Sequence, residues 1–114
     1  MDDELDLLLG TAIDSLVKVD VLLYLHSRPG AVRSAQDIAA HLRRPERQVG
    51  TALDELSRAG LADRFPLGTG RHVVYGATED EHVREIIALL HQRYRDPETR
   101  VEVVRAATKG GPAG

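Results

Sequence analysis

The 114-residue sequence contains no cysteine and no tryptophan, and only 4% of its residues are aromatic. Without cysteine the chain has no disulfide, no thiolate nucleophile and no cysteine-ligated metal. With so few aromatic side chains, the hydrophobic core must be built from Leu, Val, Ile and Ala, which favours helices. The length suits one core, so we expect a single domain over residues 1–108 and a flexible tail at 109–114.

Long apolar runs are also missing. The longest, at 7–9 and 21–25, are far shorter than the ~20 residues that span a bilayer. The chain opens with the acidic segment MDDELD, whereas a secretory signal peptide opens with a basic one. We therefore expect no membrane anchor and a cytoplasmic location.

The chain has no overall positive charge, since its formal net charge is -3. That sum hides a segregated layout. Residues 1–27 carry one basic and six acidic groups (-5), residues 28–75 carry eight and five (+3), and residues 76–114 carry six and seven (-1). The middle of the chain is therefore the part in which contacts to an anionic partner are expected.

Residue patterns for catalysis and metal binding are absent from the sequence. The five histidines, at positions 26, 41, 72, 82 and 91, include no pair spaced i,i+4 and no H-E-x-x-H motif. The serines lack the surroundings of a nucleophile elbow, and no glycine-rich phosphate loop follows a strand. We therefore expect no enzymatic activity, no cofactor and no metal site.

Two helices are predicted in the first 42 residues. Apolar residues recur at steps of three and four over 11–26, which predicts a helix that ends at the Ser-Arg-Pro-Gly of 27–30, and a short helical turn over 5–9 precedes it. Ser34 and Asp37 have the spacing of a capping box, which predicts the start of a short second helix.

A third helix follows a tight junction. Pro45 suits its first turn, where the missing N–H is no loss, and Gly60 suits a left-handed cap at its end. Its predicted buried face consists of Val49, Ala52, Leu53 and Leu56.

The second half begins with a predicted β-hairpin. Extended runs over 61–65 and 72–77 flank a loop with Pro66, Gly68 and Gly70. Thr78 and Glu81 then resemble a capping box for a long helix that reaches about residue 95. Its apolar seam has coiled-coil spacing and predicts a partner subunit: Val83, Ile87, Leu90 and Tyr94.

A last helix is predicted after Asp96 and Pro97, which suit a cap and a first helical position. Its inward face is expected to hold Val101, Val104 and Ala107.

The order of these elements and the residues themselves resemble a known family. DIAAHLRRPERQVGTALDELSRAGLADR, residues 37–64, has an alanine-rich second helix and a third helix that ends in Leu-x-x-x-Gly-Leu, before an Arg-containing strand. GRHVVYGAT, residues 70–78, resembles the return strand of a wing. Over residues 15–95 the chain resembles the winged helix-turn-helix of bacterial transcription regulators, which implies a mainly α fold with a small β-hairpin and additional C-terminal helices.

The resemblance also implies a function and one departure from the pattern. Members bind double-stranded DNA with the third helix in the major groove and the wing near the minor groove, usually as homodimers. Many have Gly at the junction after the second helix, where this chain has Arg43. A non-glycine residue in the left-handed region costs roughly 1 kcal/mol, so either the turn has another shape here or a small strain is tolerated.

Helical geometry indicates which side chains of the third helix face outward. With residues about 100° apart, the face opposite the apolar one carries Arg47, Thr51, Asp54 and Arg58, and Gln48 and Glu55 flank it. Arg can fork to guanine, Gln can bridge adenine and the Thr methyl can touch thymine. We therefore expect Arg47, Gln48 and Thr51 to contact bases.

Contacts to phosphate are predicted for Arg43, Arg44, Arg64, Arg71 and His72, and Arg58 is also predicted to bind DNA. Asp54 and Glu55 would repel phosphates, and Arg58 is expected to pair with both of them at i,i+4 and i,i+3 spacing. Gly50 either permits a close approach of DNA or faces a neighbouring helix. Each charged group could equally belong to an ordinary solvated face.

Two functions fit the sequence. The first is a DNA-binding transcription regulator that acts as a homodimer through the long helix and the acidic N-terminal helix. The second is a winged-helix adaptor that binds a protein instead of DNA, which the acidic pair Asp54 and Glu55 favours. A continuous positive strip across the third helix and wing would support DNA, and a mixed or apolar surface would support a protein. No residue indicates an effector.

Overall fold

The computed structural model describes residues 3–69 and 72–108. The predicted tail at 109–114 and Arg71 lie outside these residues. In chain order the elements are α1 (Asp3–Leu8), α2 (Leu16–His26), β1 (Val32–Ser34), α3 (Ala35–Leu42), α4 (Glu46–Arg58), β2 (Ala62–Leu67), β3 (His72–Ala77), α5 (Glu81–Arg95) and α6 (Pro97–Thr108).

The start of α2 lies later than the apolar spacing predicts. Ser15 is its N-cap and accepts a hydrogen bond from the backbone N–H of Lys18 at 3.2 Å. Residues 9–13 form a turn in which Gly10 has φ 91°. Ile13 lies in this turn and is fully buried. Its apolar character therefore comes from its place in the core, although it does not belong to the helix. The short helix before it is confirmed as α1.

The N-cap of α3 and the C-terminal cap of α4 agree with the sequence, whereas Pro45 is the N-cap of α4 and precedes its first turn. Ser34 accepts from the backbone N–H of Asp37 at 3.1 Å at the start of α3. At the end of α4, Gly60 adopts φ 80°, and the N–H of Leu61 donates to the carbonyl of Leu56 at 2.9 Å. This is a Schellman motif, which satisfies carbonyl groups that the helix end leaves unpaired.

The predicted hairpin belongs to a three-stranded antiparallel sheet of order β1-β3-β2. The third strand, β1, is only three residues long and was not predicted, because three residues carry no measurable alternation. Pro66 lies within β2 and not in the loop, opposite Val73 of β3. In this register Tyr75 lies between Arg33 of β1 and Arg64 of β2.

The predicted capping box of Thr78 and Glu81 is wrong. The N-cap of α5 is Asp80, whose carboxylate accepts from the backbone N–H groups of His82 at 2.9 Å and Val83 at 3.2 Å. Thr78 instead accepts from the N–H of Asp80. Two cap-forming residues stand two positions apart here, and local sequence does not choose between them.

The apolar seam of α5 is used within its own chain. Ile87 is 4% exposed and Leu90 is fully buried, in the core that α5 shares with α2 and α6. The inward face of α6 also differs from the prediction: Val103 and Ala107 are buried, whereas Val101 is 55% exposed. Val101 and Val103 project about 200° apart, so packing against α2 and α5 selects the face.

The short helix α1 is held against α5. Leu5 is buried beneath it, the carboxylate of Glu4 lies 2.6 Å from Nε2 of His82, and Asp6 accepts from Arg93 at 3.1 Å. The hydrogen bond to Glu4 raises the pKa of His82. Among residues 3–69 and 72–108, no helix combines the length and the apolar character needed to cross a membrane.

Gly50 faces a neighbouring helix, because a Cβ built on it would lie 3.9 Å from Cβ of Ala35 in α3, an ordinary contact. We therefore expect Gly50→Ala to raise the free energy of unfolding by about 1 kcal/mol through helix propensity. Gly60→Ala should lower it by about 1 kcal/mol, because an L side chain is strained at φ 80°. Urea titration of the two variants and the wild type measures both changes, and equal signs would contradict the assignment.

Candidate nucleic-acid interface

The helix α4 has a buried side and a solvent-exposed side, as its sequence predicts. Val49, Leu53 and Leu56 are fully buried and Ala52 nearly so. The side chains predicted to contact bases are all exposed in its first two turns: Arg47, Gln48 and Thr51. The buried side packs against α2 and α3. The three polar side chains therefore project into solvent from the opposite side of a single packed helix.

Two of the three acidic residues of α4, Asp54 and Glu55, have basic partners. Asp54 lies 3.0 Å from Nη2 of Arg58, the i,i+4 pair that the sequence predicts. Glu55 does not pair with Arg58 as expected, and instead accepts from Nζ of Lys18 in α2 at 2.8 Å. The negative charges on this helix are therefore partly compensated, and Glu55 is turned towards α2.

Lys18 is a buried cation between two carboxylates. Its side chain starts in the first turn of α2 and is only 7% exposed, and Nζ lies 2.8 Å from both Asp14 Oδ1 and Glu55 Oε1. Burial lowers its pKa, but the hydrogen bonds and charges of Asp14 and Glu55 outweigh burial and leave the pKa raised. The ammonium is therefore charged at neutral pH and joins α2 to α4.

The junction between α3 and α4 is strained at one residue. Arg43 adopts φ 56° and ψ 46°, so of the two alternatives the left-handed turn is present, with a small strain at a residue that is not glycine. Its side chain is exposed. Arg44 is half-buried, and its Nε and Nη2 donate to Asp20 Oδ2 at 2.9 and 2.6 Å. Of the two phosphate ligands predicted at this junction, Arg43 and Arg44, the second thus already donates to a carboxylate of α2.

The wing adds further basic groups. Arg64 of β2 and His72 of β3 are exposed, and Arg71, also predicted here, lies outside the described residues. Arg58 and Arg64 line one open cleft of about 490 Å³ between the end of α4 and the start of β2, together with Asp54 and Asp63. The fold therefore brings two of the arginines predicted to bind DNA together.

Sequence reasoning missed one basic side chain near this surface. Arg33 is exposed on β1, directly across Tyr75 from Arg64. Its position in the basic middle of the chain was the available signal, but the strand that places it was too short to predict. Arg33 and Arg64 stand on either side of the central strand, on the same sheet face.

A pair of histidines lies away from this surface, where α2 meets α5. The rings of His26 and His91 are 5.8 Å apart in an edge-to-face arrangement. Burial, followed by the charges of His91 and Arg84, lowers the pKa of His26. Within residues 3–69 and 72–108, no three His, Asp or Glu side chains are grouped in a way that could hold a metal ion.

The sequence matches no protein-family model and no curated protein. Solved structures are similar in fold. MepR, described as a transcription regulator of the Staphylococcus aureus multidrug efflux pump MepA, matches with a TM-score of 0.61 and 20% identity, over 90% of this chain and 73% of that one. A single-residue mutant of MepR from the same organism, bound to an oligodeoxyribonucleotide, matches with a TM-score of 0.55 and 19% identity, over 94% and 87%. The chain therefore has a winged helix-turn-helix fold.

Proposed function

We propose that this protein is a transcription regulator that binds double-stranded DNA, with α4 in the major groove and the β2–β3 wing on the backbone or minor groove. The observation that carries the proposal is the outward projection of Arg47, Gln48 and Thr51 from a helix whose other side is buried. A recognition helix reads base edges from its N-terminal turns. The similar fold of MepR bound to an oligodeoxyribonucleotide supports this use of the fold.

Positioning on the duplex is proposed to come from the basic groups that border α4. Arg43, Arg58, Arg64 and His72 are exposed, and Arg33 joins them on the wing sheet. Arg forks suit phosphate oxygens, and such contacts fix register without reading sequence. Arg44 already donates to Asp20, so a phosphate contact would have to share this side chain with Asp20 or replace those hydrogen bonds.

We propose a bacterial, cytoplasmic homodimer that associates through its helical end. Leu7 of α1 is 72% exposed and Val101 of α6 is 55% exposed. Ile86 and Leu89 of α5 are partly buried and line an open groove of about 470 Å³ against α1. Apolar surface on three helices supports an interface there, with the seam residues Ile87 and Leu90 packed beneath it.

A protein-binding adaptor is the second candidate. The observation that favours it is exposed apolar surface on the wing, where Val32, Phe65 and Leu67 are each more than 40% exposed. Such a patch is typical of protein interfaces. An adaptor would bind no duplex with sequence preference, so the experiment below separates the two functions.

Selection from random duplex DNA, followed by affinity measurement at several salt concentrations, tests the regulator. We expect a selected sequence with two-fold symmetry and a slope of log affinity against log salt of about -0.9 per neutralised phosphate. Arg47→Ala should reduce the preference for the selected duplex by roughly 1–3 kcal/mol at one base position. Arg64→Ala should weaken all duplexes alike.

The matched control is Arg95→Ala, which removes an exposed arginine at the far end of α5. That position is roughly 20 Å along the helix from its start beside the wing, so this variant should bind like the wild type. A salt-independent affinity, or an equal loss in Arg47→Ala and Arg95→Ala, would contradict the proposed function.

A further inference from the structure

Two ion pairs connect α2 with α4, one just before the N-terminus of α4 and one near its C-terminus. Before the helix begins, Arg44 donates to Asp20 at 2.6 Å. In its third turn, Glu55 accepts from Lys18 at 2.8 Å. Lys18 and Asp20 are two positions apart and project about 200° apart round α2, which lets neighbouring residues of one helix reach both ends of the other.

The Lys18 bridge is attached to the flank of α4 that also carries Gln48. Counted from Arg47, Gln48 lies at about 100° and Glu55 at about 80° round the helix, two turns apart on one line. The apolar contacts of Val49 and Leu53 hold the helix against the core but are not directional. A charged hydrogen bond has a preferred geometry, so the bridge resists rotation of α4 about its axis.

We propose that Lys18 is a positioning residue for DNA recognition: by holding Glu55 against α2, it sets the rotation of α4 and hence the direction in which Arg47, Gln48 and Thr51 meet the bases. The inference rests on the proposed function, because it concerns how the same helix reads DNA. Lys18 itself is buried and touches no nucleic acid in this proposal.

Two other roles for these residues make different predictions. An ion pair that only stabilises the fold would change the folded fraction, which weakens all duplexes equally. A Glu55 side chain that contacted a base directly would affect one base position, and Lys18→Met would leave that contact in place. A positioning role requires that Lys18→Met and Glu55→Gln both reduce discrimination between duplexes.

The experiment measures affinities for the selected duplex and for an unrelated duplex, at one salt concentration, with proteins shown by circular dichroism to be folded. It compares the wild type, Lys18→Met, Glu55→Gln, their double variant and Asp14→Asn. The last is the matched control, since Asp14 is the second carboxylate on the same ammonium, is similarly exposed, and lies outside α4. If Lys18→Met does not fold, Glu55→Gln, which alters a half-exposed side chain, is also measured on single-base variants of the selected duplex. A positioning role lowers the preference at several base positions, whereas a direct contact of Glu55 lowers it at one.

A good bidentate base contact gives a discrimination of roughly five- to 150-fold. We expect Lys18→Met and Glu55→Gln each to lower the ratio of the two affinities by about tenfold, and Asp14→Asn to leave it within about twofold. The double variant should be no worse than either single one, because one bridge is lost in all three.

Discrimination in folded Lys18→Met that equals the wild type, additive losses in the double variant, or an equal loss in Asp14→Asn and Glu55→Gln would each overturn the positioning role. If the wild type and Lys18→Met prefer the selected duplex to the same degree, the positioning role is wrong and the proposed function is unaffected. A wild type that binds no duplex selectively defeats the proposed function, and the positioning role with it.

Discussion

The double variant Asp14→Asn/Glu55→Gln should be less stable than the wild type by roughly 3 kcal/mol. The two substitutions leave the Lys18 ammonium buried, next to neutral oxygens in place of the carboxylates 2.8 Å away. Removal of the cation instead of the carboxylates should destabilise the protein far less. Lys18→Met keeps an apolar stem in the same space and leaves two half-exposed carboxylates that water can solvate, so we expect a loss of about 1 kcal/mol or less.

Urea unfolding at neutral pH measures this asymmetry, and the triple variant with all three changes is the control. It contains no buried charge and should be close to Lys18→Met. A double variant as stable as Lys18→Met would contradict the buried position of the ammonium. Because the folded pKa of Lys18 is raised above its ordinary value of 10.5, the stabilisation is fully present below that pH and is lost as the pH rises through the folded pKa. Lys18→Met should lack this alkaline loss.

Leu53→Ala should destabilise the protein by about 2–5 kcal/mol. Leu53 is fully buried on the inner side of α4, and its truncation removes apolar contacts and leaves a cavity between α4 and the helices beneath it. Thr51→Ala, two residues away on the exposed side, should change stability by less than about 0.5 kcal/mol.

The comparison of these two variants tests the two-sided character of α4. The midpoint of urea unfolding should move for Leu53→Ala at an unchanged slope. A large loss in Thr51→Ala would mean that this side chain is packed in the folded protein, and it would then be unavailable for contact with a base.

The sequence predicted α4 well because several independent signals agree there. Pro45, the apolar positions from Val49 to Leu56, and Gly60 all point to the same helix. The start of α2 was misplaced because Ile13 has the right spacing but is buried from a turn. The face of α6 could not be predicted because three valines stand at 101, 103 and 104, and only the neighbouring helices determine which are covered.

The outward direction of Arg47, Gln48 and Thr51 followed from helical geometry alone. Whether they and the basic groups around them contact DNA stays a prediction. The partner of Glu55 was missed for a physical reason: Lys18 is 37 positions away in sequence, and no periodicity connects them. The local alternative, Arg58, had suitable i,i+3 spacing. Tertiary packing instead brought a buried cation within hydrogen-bonding distance of the carboxylate.

Pro66 makes one edge of the small sheet unfavourable for the addition of another strand. It lies in β2, an outer strand of the order β1-β3-β2, and it lacks the N–H group that an added strand would need. The other outer strand is only three residues long. In the part of the sheet that the structure describes, one outer strand is interrupted by proline and the other is short, so neither favours the addition of a strand from another copy of the chain. A high concentration of the protein should therefore not convert it into strand-linked fibres.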